Sequence, residues 1–293
     1  MALRAPDVAD AVRRVSAGGE AERATWSERV PVERLFEVSV APVSLAGAFA
    51  IVLSFHDLTE PRRLERMRTD FIANASHELR TPLASLLGFV ETLQGPARED
   101  AAARERFLAV MADQARRMSR LIDDLLSLSR IEQSEHVRPS TRVDLADVAR
   151  RVAGSLDALA REEGARIELA LDEGAIVRGD PDELMRVAEN LVENAIKYGA
   201  KPGEGAQVRI VAGRAGAAAI LAVSDRGPGV ERHHLPRLTE RFYRADASAS
   251  RAKGGTGLGL AIVKHIVVRH GGRLVIESEP GEGATFRAVI PSA

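Results

Sequence analysis

Phe71-Ile72-Ala73-Asn74-Ala75-Ser76-His77-Glu78-Leu79-Arg80-Thr81-Pro82-Leu83 is the stretch from which the rest of the chain can be read. Beyond its start Leu79, Leu83, Leu86, Val90 and Leu93 step by four, three, four and three, the heptad spacing of a helix that packs against other helices, and Ile72 extends the seam upstream. His77 falls two residues before a seam position, so it is expected on the helix flank, facing solvent. Glu78 beside it can hold one imidazole N–H and fix the tautomer that leaves the other ring nitrogen nucleophilic. Thr81, one turn on, shares the face of His77. Pro82 has no N–H for the carbonyl of Glu78, so the helix is expected to loosen or kink there; an interior proline costs about 3 kcal/mol. A lone histidine is ordinarily a solvated surface residue, and it is these neighbours that single out His77.

The 293 residues suffice for two domains or a little more. Lys plus Arg (41) nearly cancels Asp plus Glu (42), so nucleic acid is not an expected partner. The absence of cysteine removes disulfides and thiolate metal sites and fits a reducing cytoplasm. Few aromatics beside abundant Ala, Leu, Val and Arg suit a helix-rich protein with aliphatic cores.

Upstream of the histidine, Val8, Val12 and Val15 mark a helix ended by Ala17-Gly18-Gly19, followed by a loop to about Val30. No signal peptide pattern opens the chain. Val38 to Phe55 is a run of 18 uncharged residues that must be tested as a membrane span, which needs about 20. Pro42, Gly47, Ser39 and Ser44 interrupt it, and partial alternation on either side of Ser44-Leu45-Ala46-Gly47 gives the competing and preferred reading, a β-hairpin. Thr59 is the expected N-cap of a helix with Pro61 in its first turn, running to about Leu93 and stopped by Gln94-Gly95-Pro96. A second helix is expected from about Glu99 to Ile131, with Phe107, Met111, Met118, Leu121, Leu125 and Leu128 as its seam and Gln114 its one polar member. A single hairpin buries two such seams poorly, so dimerisation into a four-helix bundle is expected. Residues 133–141 read as a linker, with His136 a solvated loop residue.

From Val143 helices and strands alternate. Leu145, Val148, Val152 and Leu156 predict a helix, Ile167 to Leu171 a strand, and Asp180-Pro181 the start of a helix with Leu184, Ala188, Leu191 and Ala195 buried. Asn190, Asn194 and Lys197 recur on a neighbouring face, where asparagine is a poor helix former without evident structural purpose. Asp225-Arg226-Gly227-Pro228-Gly229 follows a strand; such a carboxylate can accept an adenine amino hydrogen while the glycines admit the ring. Arg241-Phe242-Tyr243-Arg244 precedes a stretch expected to be mobile, Ala245 to Lys253. Gly254-Gly255-Thr256-Gly257-Leu258-Gly259-Leu260 then runs into a helix whose N–H groups and dipole suit phosphates, and it is neither a Walker loop nor a dinucleotide turn.

Residues 71–83 resemble the histidine box of HisKA-type bacterial sensor histidine kinases, and the later elements resemble, in order and spacing, the asparagine, glycine and phenylalanine boxes of the GHKL or Bergerat ATP-binding domain. The resemblance covers Met67 to Pro291, about three quarters of the chain. It implies a helical-hairpin dimerisation domain, a four-helix bundle in the homodimer, followed by an α/β-sandwich ATP-binding domain. The exit His56-Asp57-Leu58-Thr59-Glu60 resembles the end of a PAS sensor domain, so a partial PAS-like segment precedes both and the N-terminal boundary reads as a truncation that would hide any upstream membrane span. The expected division is 1–57, 58–135 and 136–293.

By resemblance His77 accepts the γ-phosphoryl group of ATP, Glu78 is its acid/base partner, and Thr81 helps position water when the enzyme acts as a phosphatase. Asn194 is the implied Mg²⁺ ligand, with Asn190, Lys197 and Tyr198 near the phosphates. Asp225 recognises adenine beside Gly227 and Gly229; Gly255, Thr256, Gly257, Leu258 and Gly259 form the lid and phosphate turn, and Arg244 is a phosphate contact. His233, His234, His265 and His270 have no implied role and are assigned to surface or helix-end structure. Gyrase-like and Hsp90-like relatives place a water-activating glutamate where Asn190 stands; with Glu189 and Glu193 expected to point elsewhere, hydrolysis should be slow and transfer to a histidine favoured. The phosphoryl group would pass to an aspartate of a separate response-regulator receiver domain, and the wording is most similar to phosphate-regulon-type kinases. The competing reading is a non-catalytic, nucleotide-binding dimeric adaptor; a GHKL ATPase is a third.

Overall fold

The computed structural model describes residues 5–28, 34–45, 48–133, 137–201, 203–246 and 254–293. They fall into two compact units, Met1–Glu78 and Leu79–Ala293. His136, Ala46, Gly47 and residues 247–253 lie outside the described residues, so the expectations for the loop histidine, the turn centre and most of the mobile stretch are not addressed.

In the first unit helix α1 (Pro6–Ser16) packs on an antiparallel sheet of β1 (Glu22–Glu28), β2 (Arg34–Leu45) and β3 (Ala48–Asp57), in that order. Val8, Ala11 and Val15 project from one helix face onto Val38 and Val40, forming the core. Val38 to Phe55 is therefore the hairpin, with Val38 opposite Phe55 and Leu45 opposite Ala48, and its alternation buries one face only. No helix among the described residues is long and apolar enough to cross a membrane.

Strand β1 corrects the sequence reading, which expected a loop there. Glu22, Ala24 and Trp26 are half-buried while Arg23, Thr25 and Ser27 are exposed, a period of two hidden by its polar membership. Trp26 stacks on Phe36 at 5.2 Å between ring centres, which fixes this register.

Helix α2 (Thr59–Gln94) starts one residue earlier than expected, because Thr59 is in the helix and does not cap it. Its N–H donates to Asp57 Oδ1 at 2.9 Å, while its hydroxyl accepts from Leu35 N at 2.9 Å. The helix runs unbroken through Pro82, which is buried.

In the second unit the rest of α2 and α3 (Ala101–Gln133) form the helical hairpin, with Asp100 Oδ1 receiving Ala103 N at 2.9 Å at the start of α3. Phe89 and Phe107 meet at 5.1 Å, and Leu121 and Leu128 are buried. A further row stays open: Leu83, Leu87, Leu108, Ile122 and Leu126 are exposed, Leu87 by 56% and Leu126 by 52%.

The remainder is a helical layer on a five-stranded sheet. β5 (Arg166–Leu171), β7 (Gln207–Ala215), β8 (Ala218–Ser224), β10 (Gly283–Pro291) and β9 (Arg273–Glu279) lie side by side in that order, with only β5–β7 parallel. Helices α4 (Leu145–Ser155), α6 (Pro181–Tyr198) and α7 (Gly259–Arg269) pack on its inner face. Val148, Val152, Leu184, Leu191, Ile262 and Ile266 are buried against alternate strand residues such as Ile210, Leu221 and Ile290. Only β5 and β8 were located from the sequence in this part; β7, β9 and β10 were not, nor were β4 (Thr141–Asp144) and β6 (Ile176–Gly179), which are too short to show a period. The helix expected through Leu156 ends at Ser155, and a short α5 (Asp157–Glu162) follows.

Candidate functional site

Asp180 caps α6 through Oδ1, which accepts from Asp182 N at 2.9 Å and Glu183 N at 3.1 Å, with Pro181 in the first turn. Because Leu184, Ala188, Leu191 and Ala195 are locked into the core, the adjacent face is rotationally fixed, and Asn190, Asn194, Lys197 and Tyr198 all line one cavity of about 750 Å³. Both mid-helix asparagines line this cavity, and Asn190 Nδ2 donates to Arg186 O at 2.8 Å.

Asp225 enters at the end of β8, the central strand of the sheet. Its Oδ1 accepts Gly227 N at 2.9 Å and Ala284 N at 3.2 Å, which leaves Oδ2 for another donor. Burial raises its pKa above the ordinary carboxylate value, partly offset by these two N–H bonds. Gly227 does not line the cavity; it fits against the end of α6, where a Cβ would lie 2.7 Å from Gly199 Cα. Gly229, with φ +69°, does line it.

The turn entering α7 lines the same cavity. Gly255, Thr256, Gly257 and Gly259 face the cavity, whereas Leu258 is wholly buried, so its place in the motif is a core anchor that fixes the start of the helix. Arg244 Nη2 donates to Gly255 O at 2.9 Å. Phe242 adopts φ +62°, a backbone conformation strained for a non-glycine residue, and its N–H donates to Gly257 O at 2.8 Å. Gly257, with φ +74°, has room for no side chain here, since a Cβ would lie 2.9 Å from Phe242 Cα.

Glu189 and Glu193 were expected to point elsewhere on α6, and both line the cavity. The face presented to the cavity is wider than the three-residue repeat of Asn190, Asn194 and Lys197 suggested. Glu193 pairs with Lys197 at 2.7 Å. Burial, and then the neighbouring Glu193 charge, raise the Glu189 pKa. Sequence reasoning also missed Arg120, Asp123 and Asp124 of α3, which contribute to the same cavity from a distant part of the chain, and no local pattern marks them.

The other expected residues lie outside this cavity. His77 is exposed and Glu78 half-buried in the first unit; Thr81 is exposed in the second. His233 is at the surface, and His234 Nδ1 bonds Tyr243 Oη at 2.6 Å. His270 is a helix-end residue, as one of the two expected placements had it: it caps the C-terminus of α7, is 5% exposed and bonds the N–H of Asp180 at the start of α6.

The donor set suits a nucleotide. Carboxamides, one lysine, the N–H groups of a glycine turn and the half-buried acceptor carboxylate of Asp225 line one cavity. Among the described residues no three His, Cys, Asp or Glu side chains gather to hold a metal alone. The oxygen of Asn194 beside a phosphate chain fits Mg²⁺, which is commonly bound through few protein oxygens plus phosphate and water.

Residues 67–134 match the family described as His Kinase A (phospho-acceptor) domain, and residues 179–293 match Histidine kinase-, DNA gyrase B-, and HSP90-like ATPase. The chain is similar to the phosphate regulon sensor protein PhoR of Pseudomonas aeruginosa, 41% identical over 244 residues, 83% of this chain and 54% of PhoR. It is also similar to the sensor-like histidine kinase SenX3 of Mycobacterium tuberculosis, 37% identical over 83% of this chain and 58% of SenX3. The chain thus spans a little over half the length of these curated relatives. Among solved structures, the Acinetobacter baumannii histidine kinase AdeS superposes with a TM-score of 0.58 at 26% identity, over 73% of this chain and 97% of AdeS. With both modules in this order and such relatives on either side of them, the chain belongs to the sensor histidine kinases.

Proposed function

We propose that this chain binds Mg-ATP in the cavity between α6 and α7, transfers the γ-phosphoryl group to His77, and passes it on to an aspartate of a response-regulator receiver domain. The observation that carries the reading is the convergence of Asn190, Asn194, Lys197, Asp225 and the glycine turn on one cavity. In this reading 1–57 is a PAS-like sensor segment, 58–135 the dimerisation and phosphotransfer domain, and 136–293 the ATP-binding domain. Need for ATP puts the kinase portion in the cytoplasm.

Asp225 Oδ2 accepts the adenine amino group, with Gly229 giving the ring room beside it. Asn190, Lys197, Tyr198, Arg244 and the N–H groups from Gly255 to Gly259 hold the phosphates, and Asn194 holds the metal. Magnesium, when bound, neutralises phosphate charge. Lys197 exchanges its Glu193 partner for phosphate, moving a cation towards the charge that develops. His77 supplies the nucleophilic nitrogen and Glu78 holds the opposite ring N–H; Thr81 serves the reverse, regulator-dephosphorylating direction. Alignment of this kind supplies about 7–11 kcal/mol of the barrier. The open row of Leu83, Leu87, Ile122 and Leu126 is the face a second copy covers to complete a four-helix bundle.

Incubation with γ-³²P-ATP and Mg²⁺ tests the reading. Wild type should acquire acid-labile, base-stable label that chases onto a receiver domain, and His77→Ala should acquire none. Label persisting in His77→Ala removes His77 from the role, and nucleotide binding with no phosphohistidine in wild type makes the chain an adaptor.

A further inference from the structure

Asp124 of α3 is held through both carboxylate oxygens by the nucleotide-binding part. Oδ1 accepts from Arg186 Nη2 at 2.8 Å, and Oδ2 from Thr256 Oγ1 at 2.8 Å. Arg186 reaches the Asp123 carbonyl at 3.3 Å as well. These two partners are not ordinary surface donors. Arg186 stands one turn before Asn190, whose carboxamide bonds its carbonyl, and Thr256 lies in the glycine turn, where its oxygen also accepts Leu258 N at 3.3 Å at the mouth of α7.

The N-terminus of an eleven-residue helix, α7, attracts anions, and here a side-chain carboxylate holds the threonine at its entrance. The Asp124 side chain is only 17% exposed, so its charge is weakly screened. Two more contacts bring α3 to the same rim. Arg120 Nη2 comes within 3.2 Å of where a Cβ on Gly254 would lie, and Glu132 pairs with Arg241, next to Phe242.

We propose that Asp124 competes with the nucleotide phosphates: it takes the donors of Thr256 and Arg186 and places a like charge beside the triphosphate, so α3 docking and ATP binding oppose each other. The inference rests on the reading that the glycine turn is the phosphate end, and it adds a regulation that the reading does not contain. Linkage makes the effect mutual: whatever factor docking removes from ATP affinity, bound ATP removes from docking. A signal that withdraws α3 by a few ångströms would raise ATP affinity without touching a nucleotide ligand.

The test is titration calorimetry on the full chain with the Mg²⁺ complex of a non-hydrolysable ATP analogue, with Mg-ADP and with adenosine, for wild type, Asp124→Asn and Asp124→Ala. Asp124→Asn removes the charge at constant shape, and Asp124→Ala removes both bonds. Couplings of this kind typically reach about fivefold or more, so both variants should bind the triphosphate at least about fivefold tighter and adenosine as wild type does. Unchanged triphosphate affinity in both variants overturns the proposal, as does an equal gain for adenosine, which would mean general opening of the cavity. The reciprocal readout is amide exchange over residues 120–132, expected to speed up when the analogue binds wild type; unaltered exchange also overturns it. If wild type binds no nucleotide, the functional reading and this proposal fall together; if it binds and Asn194→Ala does not, while the Asp124 variants match wild type, only the competition falls.

Discussion

His270 Nε2 accepts the backbone N–H of Asp180 at 3.0 Å, tying the end of α7 to the residue that caps α6. Its Nδ1–H donates to Ile266 O at 2.8 Å, so the ring is the neutral Nδ1–H tautomer and both its nitrogens are used.

Burial pushes the His270 pKa below its ordinary 6.5, more than the bond to Ile266 O and the nearby Glu183 raise it. The unfolded chain therefore takes up the proton first as pH falls. Stability from the neutral ring is complete above about 6.5 and is lost as pH drops from there to the lowered folded value. Urea midpoints should decline across that window in wild type and stay flatter in His270→Gln. His270→Ala should cost about 2–4 kcal/mol at neutral pH, since it strands the Asp180 N–H and leaves a void.

Both backbone donors to Asp225 use Oδ1. In Asp225→Asn the amide oxygen must keep that place, which turns the Nδ2 donor towards the adenine amino group. Affinity for ATP should fall about 10–100-fold, the value of a buried donor facing a donor. Inosine triphosphate, with a carbonyl at that position, should be weakened less or bound better than by wild type. Competition binding of the two nucleotides measures the ratio, and an unchanged ratio would show that Asp225 does not read the base.

Two glycine substitutions should separate folding from binding. A Cβ on Gly229 would lie 2.0 Å from Glu279 O on a backbone with φ +69°, so Gly229→Ala should cost about 2–5 kcal/mol of stability. The three atoms nearest a Cβ on Gly259 all belong to the Asn190 side chain, with Oδ1 at 2.4 Å. Gly259→Ala should melt close to wild type yet bind ATP about tenfold more weakly, because the carboxamide must swing aside. Thermal melts beside nucleotide titrations distinguish the two.

The exposed leucines of the hairpin predict its oligomeric state. Leu126→Glu or Ile122→Glu places a charge in the face a second copy would cover, and should raise the dimer dissociation constant at least about 100-fold. Light scattering on the eluting protein reads this directly; a wild-type monomer, or a dimer indifferent to both substitutions, contradicts the bundle.

What was legible in the sequence was periodic or glycine-marked. The heptad steps from Leu79 and Phe107 gave both helices to within two residues, Asp180-Pro181 gave the start of α6, and the spacing of Asn190, Asn194 and Lys197 placed them on one cavity wall. Short elements were not legible: β1 carries only Ala24 and Trp26 as inward apolar residues, and β4 and β6 have four residues each. Nor were contacts between remote segments, because Asp124 looks like any polar residue on an amphipathic helix until Thr256, 132 residues away, meets it. For His270 the helix-end position was legible but its burial was not, because its partner, Asp180, is 90 positions distant.

Phe242 sits in a left-handed twist that only Gly257, bare of a side chain, makes room for. Holding it there costs about 1–3 kcal/mol, and that cost vanishes once the segment uncoils to an ordinary backbone angle. Phe242→Gly should remove that backbone cost while keeping the N–H bond to Gly257 O.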